Sequence, residues 1–180
     1  GSFNQWTMRL RNGVWRAVHN GLAVAQGGAS PINVRLFALD PDLAGPEPEA
    51  LYAAGDFSSV GGEEGVAGLA GWTGNQWMIP ASNSIPALVK DKPFVLFDDG
   101  SGAALYVGGA FNQIGGVGAN NIARWDGSQW SSLGAGTNGP VSAVTVFDPD
   151  GAEPGGSVLI AVGSFGNMSN IARTVTVVHH

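Results

Sequence analysis

Acidic residues are the first groups in this chain whose placement suggests chemistry. Asp40, Asp42, Glu47, Glu49, Asp98, Asp99, Asp126, Asp148, Asp150 and Glu153 make up ten of the fourteen carboxylates, and all lie in short turn-like segments between apolar runs. Gathered on one face, they would form an anionic surface able to attract Ca²⁺ or a basic partner. The best cation candidate is Asp148-Pro149-Asp150-Gly151, so Asp148 and Asp150 are the candidate ligands, although the later Glu of a complete EF-hand loop is missing. Asp-Pro and Asp-Gly also build turns unaided, and the same acids read as solvated turn residues.

Three further sets could bind a ligand. Asn112, Asn120 and Asn121, with Arg124 close by, are candidates for holding the hydroxyls of a glycan. Arg9, Arg124 and Arg173 occupy one position of a recurring motif. They would serve as a ring of guanidinium groups around an anion, or as ion-pairing and stacking groups between structural units. Four of the six Trp, at 72, 77, 125 and 130, also sit at recurring positions, where an indole face can stack on a sugar or fill a core. Nucleophilic catalysis has little to draw on: there is no Cys, and His19 is the one internal histidine. The sequence therefore predicts a non-enzymatic protein without a cofactor, Ca²⁺ being the one ion its acids suit.

Composition narrows the partners. Eight basic residues against fourteen acidic ones leave a net charge of −6, which disfavours nucleic acid. No window approaches 18 uninterrupted apolar residues, so no membrane-spanning helix is expected, and the sequence does not open on a basic run followed by an apolar core. With 29 Gly and 10 Pro among 180 residues, and 44% hydrophobic, the chain is too apolar for disorder and too interrupted for long helices.

The elements that must position these side chains repeat. Tyr52, Tyr106 and Ile160 recur at an interval of 54 residues, as do Gly55, Gly109 and Gly163, and Phe57, Phe111 and Phe165. Trp77 and Trp130 are 53 apart, each five residues after another Trp, Trp72 and Trp125. Each unit reads as four short strands, A to D. Strand A covers 32–40, 92–98 and 140–148. Strand B is LYAAGDF, LYVGGAF or LIAVGSF, and strand C is LAGW, IARW or IART. Strand D opens on the second Trp. Asn12-Gly13, Thr73-Gly74-Asn75 and Asp126-Gly127-Ser128 supply the turns that make C and D antiparallel neighbours. The expected fold is all-β, divided into a partial unit at 1–27, units at 28–80 and 84–136, and a partial unit at 138–180. Because strands alternate direction, A–B and C–D connections share one end, while B–C and D–A connections share the other.

Four antiparallel strands per 50-odd residues, radially repeated, describe a β-propeller blade. The marks Gly108-Gly109, Trp125 and Trp130 resemble those of kelch-type blades. The fuller LYVGGAFNQIGG…NNIARWDGSQW is similar to a repeat of large bacterial exported proteins and of the fungal bud-site cortical-marker family. That resemblance implies an exported or cell-surface scaffold and specifies no chemistry. The WDGSQW segment also resembles the Asp-box turn of other propellers, without matching its spacing. The last unit departs from the pattern, with Thr174 where Trp125 stands, and the first has Leu10-Arg11-Asn12-Gly13 in place of Trp-Asp-Gly. At this period the chain holds between three and four units, whereas closed propellers need four to eight. Copies are therefore expected to complete one another into a ring of six or seven blades, the other readings being a piece of a longer propeller or a lectin-like glycan binder.

Overall fold

The computed structural model describes residues 8–11, 14–17, 22–23, 34–39, 50–55, 57, 59–64, 68–74, 76–79, 94–148, 157–166 and 175–178. His19, Asp40, Asp42, Glu47, Glu49, Asp150, Glu153 and Arg173 lie outside them. The described residues are all-β with no helix. In chain order the strands are β1 (Met8–Arg11), β2 (Val14–Ala17), β3 (Leu22–Ala23), β4 (Arg35–Leu39), β5 (Ala50–Ala54), β6 (Ser59–Val60), β7 (Glu63–Glu64), β8 (Leu69–Trp72) and β9 (Trp77–Met78). They continue with β10 (Phe94–Asp98), β11 (Ala103–Gly108), β12 (Gln113–Ile114), β13 (Val117–Gly118), β14 (Ile122–Trp125), β15 (Trp130–Ser132), β16 (Val141–Phe147), β17 (Val158–Gly163) and β18 (Val175–Val178).

Two four-stranded antiparallel sheets carry the repeat. The first sheet has the order β4-β5-β8-β9 and the middle sheet β10-β11-β14-β15, which is the A–B–C–D order read from the sequence. Their registers coincide. Tyr52 stands between Phe37 and Gly71, and Tyr106 between Val95 and Arg124. Trp72 faces Trp77 across its hairpin as Trp125 faces Trp130. The β1–β2 hairpin keeps the same frame, with Leu10 opposite Trp15.

The glycine-rich B–C segments are not plain loops. Each folds into a small hairpin, β6–β7 and β12–β13, because the paired glycines at its tip (Gly61-Gly62 and Gly115-Gly116) take the two positive φ values of a tight turn. The last sheet, β16-β17-β18, differs more. Its A and B strands are antiparallel as expected, but β18 runs parallel to β17, with Leu159 opposite Val175. The expected C strand at 171–174 lies outside the described residues. This unit lacks the Trp-Asp-Gly trio that fixes the C–D hairpin of the middle sheet, and the β-branched run of β18 takes the edge of β17 instead.

Period-two alternation gives the middle sheet two apolar faces, and both are covered. Leu105, Val107, Ala123, Trp125 and Trp130 pack toward Ala50, Tyr52 and Ala54 of the first sheet. Phe97, Ala104, Tyr106 and Ile122 pack toward Val141, Leu159, Ala161 and Phe165 of the last. Ala104 and Leu105, neighbours on opposite faces, are both 0% exposed, so the middle sheet is a filling in a series of three. At the first boundary a face carrying Tyr meets a face carrying a Trp pair. Phe37 stacks on Tyr52 at 5.6 Å and reaches Phe94 across the boundary at 5.5 Å. The Tyr52 hydroxyl donates to the Gly127 carbonyl, 3.1 Å away in the C–D turn of the next sheet.

Two of the recurring positions have a clear steric cause. Phe57, Phe111 and Phe165 are all buried where strand B leaves its sheet. At Gly163 a Cβ would lie 2.1 Å from the Pro140 carbonyl oxygen, because the chain entering strand A crosses directly over strand B. The same entry to strand A also ties the last sheet to the middle one, the Val141 amide donating to Gly109 O at 2.9 Å.

Candidate functional site

The candidate ligand residues of the middle sheet divide between its two ends. Strand β14 explains this: it starts beside Asn121 and finishes beside Asp126, so Arg124 belongs to the far end.

At the A–B and C–D end, the Asp98-Asp99-Gly100-Ser101-Gly102 loop is closed by its own carboxylates. Asp98 Oδ1 accepts the amides of Gly100 at 2.8 Å and Gly102 at 3.1 Å. Asp99 Oδ1 accepts the Ser101 amide at 3.0 Å and the Ser101 hydroxyl, and its Oδ2 accepts the Tyr106 hydroxyl at 2.9 Å. Arg124 Nη2 donates to Ser101 Oγ at 3.2 Å and to the Gly102 carbonyl at 3.3 Å. Ser101 therefore relays between Asp99 and Arg124, while Arg124 Nε is buried without an acceptor among the described residues. In the neighbouring turn, Asp126 Oδ1 accepts the Ser128 amide, the Ser128 hydroxyl and the Gln129 amide, each at 2.8 Å.

Electrostatics follow these contacts. Burial raises the proton affinity of Asp99, but hydrogen bonds from Ser101 and Tyr106 and the charge of Arg124 outweigh it and hold the carboxyl below its ordinary range. Asp126 is likewise lowered, burial being overcome by the Gln129 and Ser128 donors and by Arg124. Tyr106 moves the other way: burial, then the Asp99 bond and charge, push its hydroxyl up to about 12. The arginine thus sits between two carboxylates as the cation of a loop-holding network. Sequence reading overlooked Asp99, Ser101 and Tyr106 as its partners, although the Tyr at a 54-residue interval marked the strand that holds them.

At the B–C and D–A end, Asn121 joins two loops. Its Oδ1 accepts the Phe111 amide at 3.2 Å and its Nδ2 donates to the Thr137 carbonyl at 2.9 Å. Asn121 adopts φ 62°, the only non-glycine residue with positive φ among those described. Asn120 Nδ2 donates to Ala135 O at 2.9 Å, and Asn120 O accepts the Thr137 amide at 3.0 Å. Asn112 is exposed, and its carbonyl accepts the Ala119 amide at 3.0 Å. Only Asn112 of the three thus presents its side chain to solvent without a described role in closing the fold.

The other candidates are placed as follows. Trp125 and Trp130 lie inside the core with rings 5.3 Å apart, and Trp72 and Trp77 repeat that 5.3 Å pairing. The Trp125 ring N–H is near the Tyr52 hydroxyl but meets no acceptor at hydrogen-bonding geometry, and the Trp130 N–H is also unpaired. Asp148 is exposed just past β16. Among the described residues no three His, Asp or Glu side chains are gathered as a metal site, and no helix is long and apolar enough to cross a membrane. A scan against protein-family models and searches of curated proteins and of solved structures return no match to this chain.

Proposed function

We propose that this chain is a non-enzymatic repeat scaffold whose sheets are blades of a β-propeller, completed into a ring by further copies and offering its rim loops to a partner. The carrying observation is the middle sheet, covered on both faces by its neighbours in sequence order. A two-layer sandwich would leave every sheet one solvent face. Stacking of equivalent sheets is the arrangement in which a unit needs a copy before and after it, and a ring is the form of stack that leaves no end face. The packing of β16 on β10, one A strand on the next, agrees with A strands converging on an axis. The polar residues at both ends support the scaffold reading, since Asp98, Asp99, Arg124, Asp126, Asn120 and Asn121 are engaged in holding loops. An image of the particle in solution tests the proposal. Rotationally arranged four-stranded sheets with β4, β10 and β16 innermost are expected, and a two-layer sandwich refutes it. The lectin reading is tested through Asn112. Glycan-array binding lost on Asn112→Ala with folding intact would move the assignment to a carbohydrate-binding module.

A further inference from the structure

Two end faces of the stack carry exposed apolar side chains. Register identifies them. Phe147 stands opposite Val158 as Phe97 stands opposite Ala104, yet Phe97 is 8% exposed and Phe147 52%. Leu36 stands opposite Ala53 as Phe94 stands opposite Val107, yet Phe94 is half-buried against Phe37 of the preceding sheet while Leu36 is 52% exposed. Ile79, one residue beyond Met78, is a further exposed large hydrophobic side chain at 38%. Alternation puts Ile79 on the same side of the first sheet as Leu36, since Met78 packs toward the middle sheet. Exposed apolar surface is thus concentrated on the forward face of the last sheet and the rearward face of the first. These are the two kinds of face that meet at each internal boundary.

We infer that the forward face of β16–β17 docks on the rearward face of the first sheet of a second copy of this chain, head to tail. The inference rests on the repeat-stack reading above and names its interface. The internal boundary sets the contact. Thr145 stands opposite Ile160 as Phe37 stands opposite Tyr52, so Thr145 of one copy comes over Leu36 of the next as Phe37 lies over Phe94. The strand edges point to the same placement. The hairpin β1–β2 has the C–D register, and β16–β17 has the A–B register. Docking places them in one composite sheet, with Arg9 opposite Ile160 as Arg124 is opposite Tyr106. Strand β18, parallel and out of the repeat frame, is the element that gives way. Such a contact uses different surfaces on the two copies, so it closes as a ring or grows as a fibre.

The chain has no Cys, which makes the test direct. One preparation carries Thr145→Cys and another Leu36→Cys, and the two are mixed with a short bismaleimide. Linked pairs of twice 18.3 kDa are expected in the mixture and not with either preparation alone. Phe37→Cys with Phe94→Cys in a single chain is the control for the internal boundary, and should link within that chain. Internal linking without mixed linking overturns the head-to-tail interface and leaves the repeat stack standing. Absence of both overturns the stack and this inference with it. Linking of Thr145→Cys to itself also refutes the head-to-tail contact. Sedimentation of the unmodified chain should give a multiple of 18.3 kDa that Phe147→Asp reduces to 18.3 kDa with an unchanged far-ultraviolet spectrum. A single 18.3 kDa species for the unmodified chain would also overturn the proposal.

Discussion

Gly163→Ala isolates the steric reason for glycine at this recurring position in the last unit. The backbone at Gly163 is outside the left-handed region, so alanine carries no conformational strain there and only space decides. The new Cβ would lie 2.1 Å from Pro140 O and 2.8 and 2.9 Å from two Phe165 ring carbons. The ring can turn, but the carbonyl is backbone and accepts the Ser164 amide at 3.0 Å. Ordinary contact requires the two segments to part by more than an ångström, which breaks that hydrogen bond. Overpacking of about 1–3 kcal/mol plus a lost bond of about 1 kcal/mol gives a destabilisation of roughly 2–4 kcal/mol. For a chain of this length that is a fall in Tm of about 5–15 °C. Thermal unfolding followed by tryptophan fluorescence measures it, with Gly118→Ala as the control. Gly118 has an unstrained φ and nothing within 4 Å of its Cβ position, so its Tm should match the parent. Equal Tm values for Gly163→Ala and the parent would refute the argument that close crossing fixes glycine at 163.

Spectrophotometric titration reads the two tyrosines of the chain. Tyr52 is raised by burial and Tyr106 is pushed up to about 12, so phenolate absorbance should appear late in the native protein and near 10 in denaturant. The folded state keeps a proton that the unfolded state releases, so stability should fall as pH rises from 10 toward 12, and Tyr106→Phe should flatten that fall. On the acid side, Asp99 and Asp126 are lowered from 3.8, so their contribution is present above that value and lost as pH drops below it. Asp126→Ala leaves the Ser128 and Gln129 amides without their acceptor and should cost about 1–2 kcal/mol in denaturant midpoints, with Asp126→Asn costing less. Asn121→Ala should be about 1 kcal/mol worse than Asn121→Gly, because both lose the two loop bonds but only alanine resists φ 62°.

Strand order was legible because the repeat aligned copies of the same unit: Trp72 with Trp125 and Tyr52 with Tyr106 fixed which strands are equivalent, and Asp-Gly fixed the C–D hairpin. The small hairpins were not, since Gly61-Gly62 and Gly115-Gly116 look like loop glycines until their flanking dipeptides pair. Arg124 was grouped with the asparagines by proximity along the chain. Four residues of extended strand carry it to the opposite end, where its partners come from a loop 22 residues earlier. The parallel β18 could not be read either. Its valines suit any free strand edge, and only three-dimensional competition for β17 decides the direction.

The two rims of the middle sheet differ in how independent their loops are. At one, Asp98 and Asp126 each fold their own turn, and side chains of the strands beneath, Arg124, Tyr106 and Tyr52, hold those turns down. At the other, Asn120 and Asn121 tie the B–C and D–A loops directly to each other, so lengthening either one disturbs both. As a platform for grafted sequences, the molecule therefore has one rim whose loops are each anchored to the strands beneath and one whose loops are anchored to each other, and an insert between β10 and β11 has to leave Asp99, Ser101 and Gly102 in place.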